Sequence, residues 1–287
     1  MQSGMRTGQV TPERFLPMIN FMFWNLGKKD LKDRLARLAI LNEIDVLILA
    51  ECGTTSVEML EALNATGQSE YFFTRSECSH ISIYARFIDD LIVPVRETHR
   101  LTVRHLTLPG KADVILAAVH FPGKLYWDDR SQDTECVKLS EAVRMVEETI
   151  GHRRTVLVGD LNMNPFQAGV VSAAGLHGVM TRQIASRGSR TVLSDSYEFF
   201  YNPMWSLFGD HPRGPAGTYY YERSEHQMYF WNMFDQVMIR PQMLRFFDNH
   251  SLEIVVHDGL ASLLMENGLP EVVNGSDHLP IKFSLGI

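Results

Sequence analysis

The chain has 287 residues, 45% hydrophobic and 21% charged, and a formal charge of −7 from 27 basic and 34 acidic side chains. Such a composition is ordinary for a globular protein and ample to bury a core. It excludes a protein held on nucleic acid by overall charge alone, and leaves a local basic groove as the only electrostatic route to such a partner.

Residues 1–17 lack the apolar core of a signal peptide and read as a flexible lead-in, followed by one domain over 18–287. The apolar run 18–24 predicts a strand that opens into a site at Asn25. Leu31, Leu35, Leu38 and Leu41, with charges between them, predict an amphipathic helix over 31–44. Residues 45–50 predict a buried strand with Glu51 just past its end, and 54–63 a helix capped by Thr or Ser. Strands are predicted at 71–74, 80–87, 91–95, 101–108 and Val114–His120, with LPGKA at 108–112 as a hairpin turn. Leu139, Val143, Val146 and Ile150 mark one face of a helix over 131–150.

The stretch TVLVGDLNMNPF at 155–166 is the centre of the pattern. Residues 155–158 predict a buried strand, and Gly159 lets the backbone turn tightly. Asp160 and Asn162, at i and i+2 of extended chain, are expected to face one point at the strand's end. Asn164-Pro165 reads as a helix start, Asn as N-cap and Pro at the first helical position, for a helix over 165–174. Arg182, Arg187 and Arg190 form a small basic run that reads as a solvated loop in preference to a phosphate site. Between 199 and 234 lie 12 of the chain's 29 aromatics, too apolar a segment to stay in water as a disordered linker. This aromatic-rich insertion near 199–232 is either a packed excursion of the core or a lid over a site. Strands at 233–239 and 253–256, a helix at 260–266 and a strand at Ile281–Leu285 complete the order. Strands joined by helical crossovers alternate with hairpins in both halves, which predicts two sheets packed face to face with helices outside. Cys52, Cys78 and Cys136 are odd in number and suggest neither a disulfide framework nor a zinc site. No apolar run approaches the roughly 20 residues of a membrane span. A cytoplasmic monomer with no membrane insertion is therefore expected.

Several strands end in polar residues, and each has a plain structural reading. Asn25 caps a helix, Glu51 is a surface acid, His120 is a hydrogen-bonded core histidine, Asp235 satisfies backbone amides, and Asp277-His278 is a loop turn. Taken together they supply what phosphodiester hydrolysis needs. Carboxylates and amides are hard oxygen ligands suited to Mg²⁺ or Mn²⁺. Histidines paired with carboxylates supply a general base and charge stabilisation. No P-loop, zinc-protease, nucleophile-elbow or dinucleotide fingerprint competes with them.

The motifs W-N at 24–25, L-A-E at 49–51, V-H-F at 119–121, G-D-L-N at 159–162, F-D-Q-V at 234–237 and S-D-H-L-P at 276–280 follow one another in order. This series resembles the endonuclease/exonuclease/phosphatase superfamily, the group of exonuclease III, deoxyribonuclease I and the sphingomyelinases. The resemblance implies a four-layer α/β/β/α sandwich of two packed mixed β-sheets flanked by helices. It implies an Mg²⁺- or Mn²⁺-dependent phosphoesterase with Glu51 as principal metal ligand, Asn25 beside it and Asp277 in the same metal shell. His278 would be the general base or stabilise the phosphate, held by Asp235. Asp160 and Asn162 would position the nucleophile and the scissile phosphate, and His120 would serve the leaving-group side. Tyr126 and Trp127 fall where exonuclease III relatives carry a tyrosine-bearing loop. Tyr219, in the GTYYY segment, falls where nuclease members carry substrate contacts. Lys28 and Lys124 are placed to meet an anionic substrate. Glu77 is only a loose fit to the glutamate that orients the first histidine in deoxyribonuclease I. The expected activity is phosphodiester hydrolysis by a nuclease acting on DNA or RNA. The alternatives are a phosphatase or phosphodiesterase acting on a small phosphorylated molecule or lipid head group, and a scaffold without turnover.

Overall fold

In the computed structural model, which describes residues 18–123, 127–210, 214–224 and 226–287, the apolar runs become the strands of two sheets. The expected lead-in, Lys124 and Tyr126 lie outside the described residues. The first half of the chain runs β1 (Ile19–Asn25), α1 (Lys32–Leu41), β2 (Val46–Ala50), α2 (Ser56–Asn64), β3 (Phe72–Thr74), β4 (Ile81–Ala85), β5 (Ile92–Glu97), β6 (Leu101–Leu106) and β7 (Val114–His120). Then come α3 (Asp129–Ile150), β8 (Thr155–Asp160), α4 (Ala168–Val171), β9 (Gly178–Val179), α5 (Arg182–Ala185), β10 (Ser189–Val192), β11 (Asp195–Glu198) and β12 (Phe200–Tyr201). The chain closes with β13 (Tyr219–Tyr221), β14 (Phe230–Asn232), β15 (Asp235–Ile239), β16 (Phe247–Ile254) and β17 (Ile281–Leu285).

One sheet has the order β16-β17-β1-β2-β4-β3 and the other β5-β6-β7-β8-β15-β12-β9. Each is mixed, and each has a parallel pair bridged by a helix: α1 joins β1 to β2, and α3 joins β7 to β8. The runs at β7 and β8 are apolar throughout because both faces are covered. Leu116, Ala118, Val156 and Val158 point into a core shared with Phe21, Phe23 and Ile48 of the first sheet. Their neighbours Ile115, Ala117, Val119 and Leu157 point the other way, onto Leu139 and Val143 of α3. On the first sheet, Leu35, Leu38, Met59 and Leu63 of α1 and α2 join the same core. The result is the expected α/β/β/α sandwich. No helix among the described residues is long and apolar enough to cross a membrane.

Four local expectations differ from the structure. Gly159 does not turn the chain: β8 continues through it to Asp160, and glycine is needed because an added Cβ would lie 1.9 Å from the Val119 oxygen of β7. Asn164 does not cap a helix. Its side chain donates to Asn232 Oδ1 at 2.8 Å and accepts from the Met233 amide at 2.8 Å, and only four residues, α4, become helical. No helix forms over 260–266, although Leu260, Leu263 and Leu264 have helical spacing. Asp258 Oδ1 accepts from the amides of Leu260 and Ala261, and the chain folds into turns with an isolated bridge between His257 and Ser262. Arg182 is not on a solvated loop but begins α5 and donates to the carbonyls of Leu244 and Phe247 and to Asn249 Oδ1.

Within the insertion, Phe200, Met204 and Leu207 are buried in the core, while β13 and β14 pair as a hairpin with exposed Tyr221, Tyr229 and Phe230. The first half of that segment is thus a packed excursion of the core.

Candidate active site

The strand register brings the polar strand ends together. In the parallel pairs, Asn25 lies opposite Ala50, just before Glu51, and His120 lies opposite Asp160. The antiparallel β15 begins with Asp235 opposite Asp160. The Ser276–His278 turn then docks onto the end of β1. Ser276 Oγ donates to the Asn25 carbonyl at 2.6 Å, the Trp24 indole donates to the His278 carbonyl at 2.8 Å, and the His278 amide donates to Ser276 Oγ at 3.1 Å. Buried strand cores thereby fix side chains that are far apart in sequence.

A cleft of about 950 Å³ opens at this edge, and Asn25, Lys28, Glu51, His120, Asp160, Asn162, Tyr219, Asp277 and His278 all line it. Asp235 lies beneath it, fully buried. The two sheets are tied here by Asn25 Nδ2, which donates to Asp160 Oδ2 at 2.9 Å. His278 Nδ1 donates to Asp235 Oδ2 at 2.8 Å, which leaves Nε2 3.9 Å from Asp160 Oδ2. His120 Nε2 lies 3.4 Å from Glu51 Oε1 and 3.7 Å from Asp160 Oδ2. Asn162 donates its amide N–H to Asp160 Oδ1 at 2.8 Å and its side chain to the Phe121 carbonyl at 2.8 Å. Glu51, Asn162 and Lys28 all sit at positive φ, a sparsely populated backbone state that clusters where a site imposes it.

Burial shapes the electrostatics. It would depress the His278 imidazole, but the charges of Asp235 and Asp160 outweigh it and push the ring up to about 10. His120 goes the other way: burial, helped by Arg100 and His80, outweighs Asp160 and lowers it to about 4, so this ring is neutral at pH 7. Burial raises the Asp160 carboxyl, and the nearby Asp235 charge adds to the rise.

The donor set suits a hard divalent cation. Four carboxylates, of Glu51, Asp160, Asp235 and Asp277, crowd one cationic imidazole, which leaves a local excess of negative charge. Asp160, Asp235 and His278 bring ligand atoms within 4.8 Å of one another, but that trio is already knit by its own hydrogen bonds. The carboxylate of Glu51 meets only the His120 ring among the described residues. Together with Asp277 and the Asn25 oxygen it forms an oxygen-only set of the kind Mg²⁺ and Mn²⁺ prefer.

Not every sequence candidate arrives. Trp127 is described but does not line the cleft, while Lys124 and Tyr126 lie outside the described residues. Glu77 does not orient His120: its amide donates to Glu97 on a different surface, and His120 Nδ1 is buried with no hydrogen-bond partner among the described residues. The ring beside His120 is instead His80, at 5.5 Å between centroids. His80, Arg100 and Tyr229 line the cleft outside every sequence motif, and Tyr221 of the GTYYY segment lines it with them. Thr218 was missed as well; its hydroxyl accepts from the Asp235 amide at 3.1 Å and so helps fix the carboxylate. Its signal in the sequence was its place one residue before Tyr219.

No protein-family model matches the chain, and no curated protein matches it in sequence. Solved structures do match it in shape. An endonuclease/exonuclease/phosphatase family protein from Bacteroides thetaiotaomicron is 14% identical, with 94% of this chain and 98% of that chain covered and a TM-score of 0.54. D. rerio TDP2 in complex with a single-strand DNA product is 14% identical, with 93% and 98% covered and a TM-score of 0.55. The endonuclease domain of TRAS1, a telomere-specific non-LTR retrotransposon, is 14% identical, with 94% and 99% covered and a TM-score of 0.53. This chain has the fold of the endonuclease/exonuclease/phosphatase family.

Proposed function

We propose that the protein is a divalent-metal-dependent phosphodiester hydrolase, a nuclease acting on DNA or RNA. The observation that carries this reading is the convergence of the Asp235–His278 pair, Asp160 and Asn25 on one cleft that also holds Glu51 and Asp277. Glu51, Asn25 and Asp277 would hold Mg²⁺ or Mn²⁺. When bound, such an ion supplies charge neutralisation for the phosphate.

The chain's own groups do the rest. Asp235 fixes the His278 ring with Nδ1–H toward the carboxylate, so that Nε2 and Asp160 Oδ2 face the same point. Water placed there attacks phosphorus, the ester P–O bond breaks, and the proton given up by the water passes to the Asp160 carboxylate, whose raised affinity for a proton suits it to the task, while the His278 imidazolium beside it faces the developing negative charge. Asn162 and Asn25 hold Asp160 from both sides, which keeps its oxygens from rotating away. The neutral His120 ring lies on the opposite flank, next to Glu51, where it can offer a hydrogen bond to the leaving oxygen, which takes its proton from solvent water. Lys28 and Arg100 give the cleft cationic groups for the rest of an anionic chain, and His80, lowered by burial and by Arg100, adds a neutral ring beside them. The named neighbours, an endonuclease domain and a TDP2 with a single-strand DNA product, support nucleic acid as that chain.

The test is incubation of the protein with single- and double-stranded DNA and RNA in Mg²⁺ or Mn²⁺. Cleavage is expected, with its loss in EDTA and in His278→Ala. If no nucleic acid is cut while inositol phosphates, nucleotides or phospholipids release phosphate, the substrate assignment is wrong. If cutting persists in EDTA, the metal assignment is wrong.

A further inference from the structure

The hydrolytic centre has an aromatic side that the chemistry above does not use. Tyr219 and Tyr221 alternate with Tyr220 along β13, so their rings share one face. The Tyr219 ring lies 4.6 Å from His278 and 5.2 Å from Phe234, and Tyr221 follows at 6.4 Å with its plane within 13° of Tyr219. Across the hairpin, Tyr229 stands edge-on to Phe166 at 5.3 Å. Tyr219, Tyr221, Tyr229 and Phe234 all line the cleft. Tyr221 is 41% exposed and Tyr229 51% exposed. Core aromatics of this chain behave differently: Phe21 and Phe283 stack with almost no exposure. Rings left open in a cleft, in a row that starts at the reacting centre, are built to cover something flat.

We propose that this hairpin is a stacking wall for an unpaired nucleobase adjacent to the scissile phosphate, so that the protein selects single-stranded nucleic acid or frayed ends over paired duplex. The proposal rests on the nuclease reading above and names which form of nucleic acid that site takes. An isolated base offers a π-face to tyrosine, and such contacts tolerate any sequence. A base inside a duplex has both faces covered by its neighbours and must first be unstacked. The cleft also holds Lys28 and Arg100, whose charges suit the phosphates that continue the strand. A polyol ring coated with hydroxyls has no π-face to offer. Among the described residues, Pro122, Met228 and Val272 alone bring aliphatic side chains to the lining, so an acyl chain would meet little aliphatic carbon there.

The experiment uses the full chain in EDTA, with oligonucleotides carrying the fluorescent base 2-aminopurine. Wild type is expected to bind the single strand, quench the fluorophore and bind the matching duplex at least five-fold more weakly. Tyr221→Ala and Tyr229→Ala are each expected to weaken single-strand binding roughly 5- to 100-fold and to relieve the quenching. Tyr221→Phe and Tyr229→Phe are expected to keep both, and matched thermal melts show that the variants are folded. Alanine variants that bind and quench like wild type, or a duplex bound as tightly as the single strand, overturn the stacking wall. Cleavage in Mg²⁺ is read separately. An enzyme that cuts but ignores both tyrosines sinks this inference and leaves the hydrolase standing, whereas a protein that quenches but never cuts does the reverse.

Discussion

Asp235 shows how much one buried side chain is asked to do. Its Oδ2 accepts from His278, its backbone N–H donates to Thr218, and its Oδ1 has no partner among the described residues, so an uncompensated charge there would be costly. The imidazolium of His278 supplies the compensation, and in return the ring is held in one orientation. Asp235→Asn keeps the shape but puts an amide where a carboxylate was. We expect kcat on an oligonucleotide to fall about 10²- to 10⁴-fold with little change in KM, in line with the worth of a positioned acid–base group. Steady-state kinetics beside circular dichroism check this, and an unchanged kcat removes Asp235 from the mechanism. This residue was legible in the sequence because a lone acid opening an apolar strand is conspicuous. Thr218, His80 and Arg100 were not, since a threonine, histidine or arginine near a strand reads as ordinary surface until register shows what it faces. Asn164 misled for a related reason: the Asn-Pro pair has a strong local meaning, and a contact with Asn232, 68 positions away, overrode it.

The elements show the same division between local and distant causes. Strands and the longer helices were readable because burial on both faces, or on one, leaves a periodic trace. α2 even carries its start signal in full, with the Thr55 hydroxyl accepting from the Glu58 amide and Glu58 reaching back. The short strands between 178 and 232 have two to four residues each, too few for any period to show. At the end of the sandwich away from the cleft, β6, β7 and the α3–β8 turn are pinned by Asp113. Its Oδ2 accepts from His105 Nε2 and His152 Nε2, each at 2.9 Å, and Oδ1 accepts from Arg154. The Arg154 amide donates to His152 Nδ1, so Nε2 carries the proton and its lone pair is spent; the cluster is a structural knot in preference to a metal site. Burial would raise the Asp113 carboxyl, but these three hydrogen bonds outweigh it and hold it well below the usual carboxylate range. A depressed folded-state value stabilises the protein above the unfolded value near 4 and loses that effect as pH falls through the folded value. Asp113→Asn is therefore expected to be less stable than wild type at pH 7. The deficit should be roughly 1 kcal/mol because about a third of the side chain meets water, and it should shrink below about pH 4. Urea unfolding across pH measures it, and a deficit that grows on acidification contradicts the assignment.

At the scale of the whole molecule, the site exists only while the two sheets stay packed. Asn25 and Glu51 come from the first sheet, His120, Asp160 and Asp235 from the second, and Asp277-His278 from the turn that precedes β17. A cation held by Glu51, Asn25 and Asp277 would tie together the ends of β1 and β2 and the turn before β17, and binding to the native state alone would raise the stability of the fold. With Mn²⁺ at about 100 times its Kd, that linkage is worth about 2.7 kcal/mol, or an upward shift in Tm of about 5 °C for a chain of this size. Glu51→Gln and Asp277→Asn each remove a carboxylate from the oxygen set, so their melting temperatures should respond weakly or not at all. Both variants relieve some of the charge crowding, and without metal they should melt at or slightly above wild type. Scanning calorimetry with and without Mn²⁺ separates these effects. A wild type whose Tm is indifferent to the metal, or variants that shift as far as it does, would mean that the acids at the mouth of the sandwich do not hold the ion together.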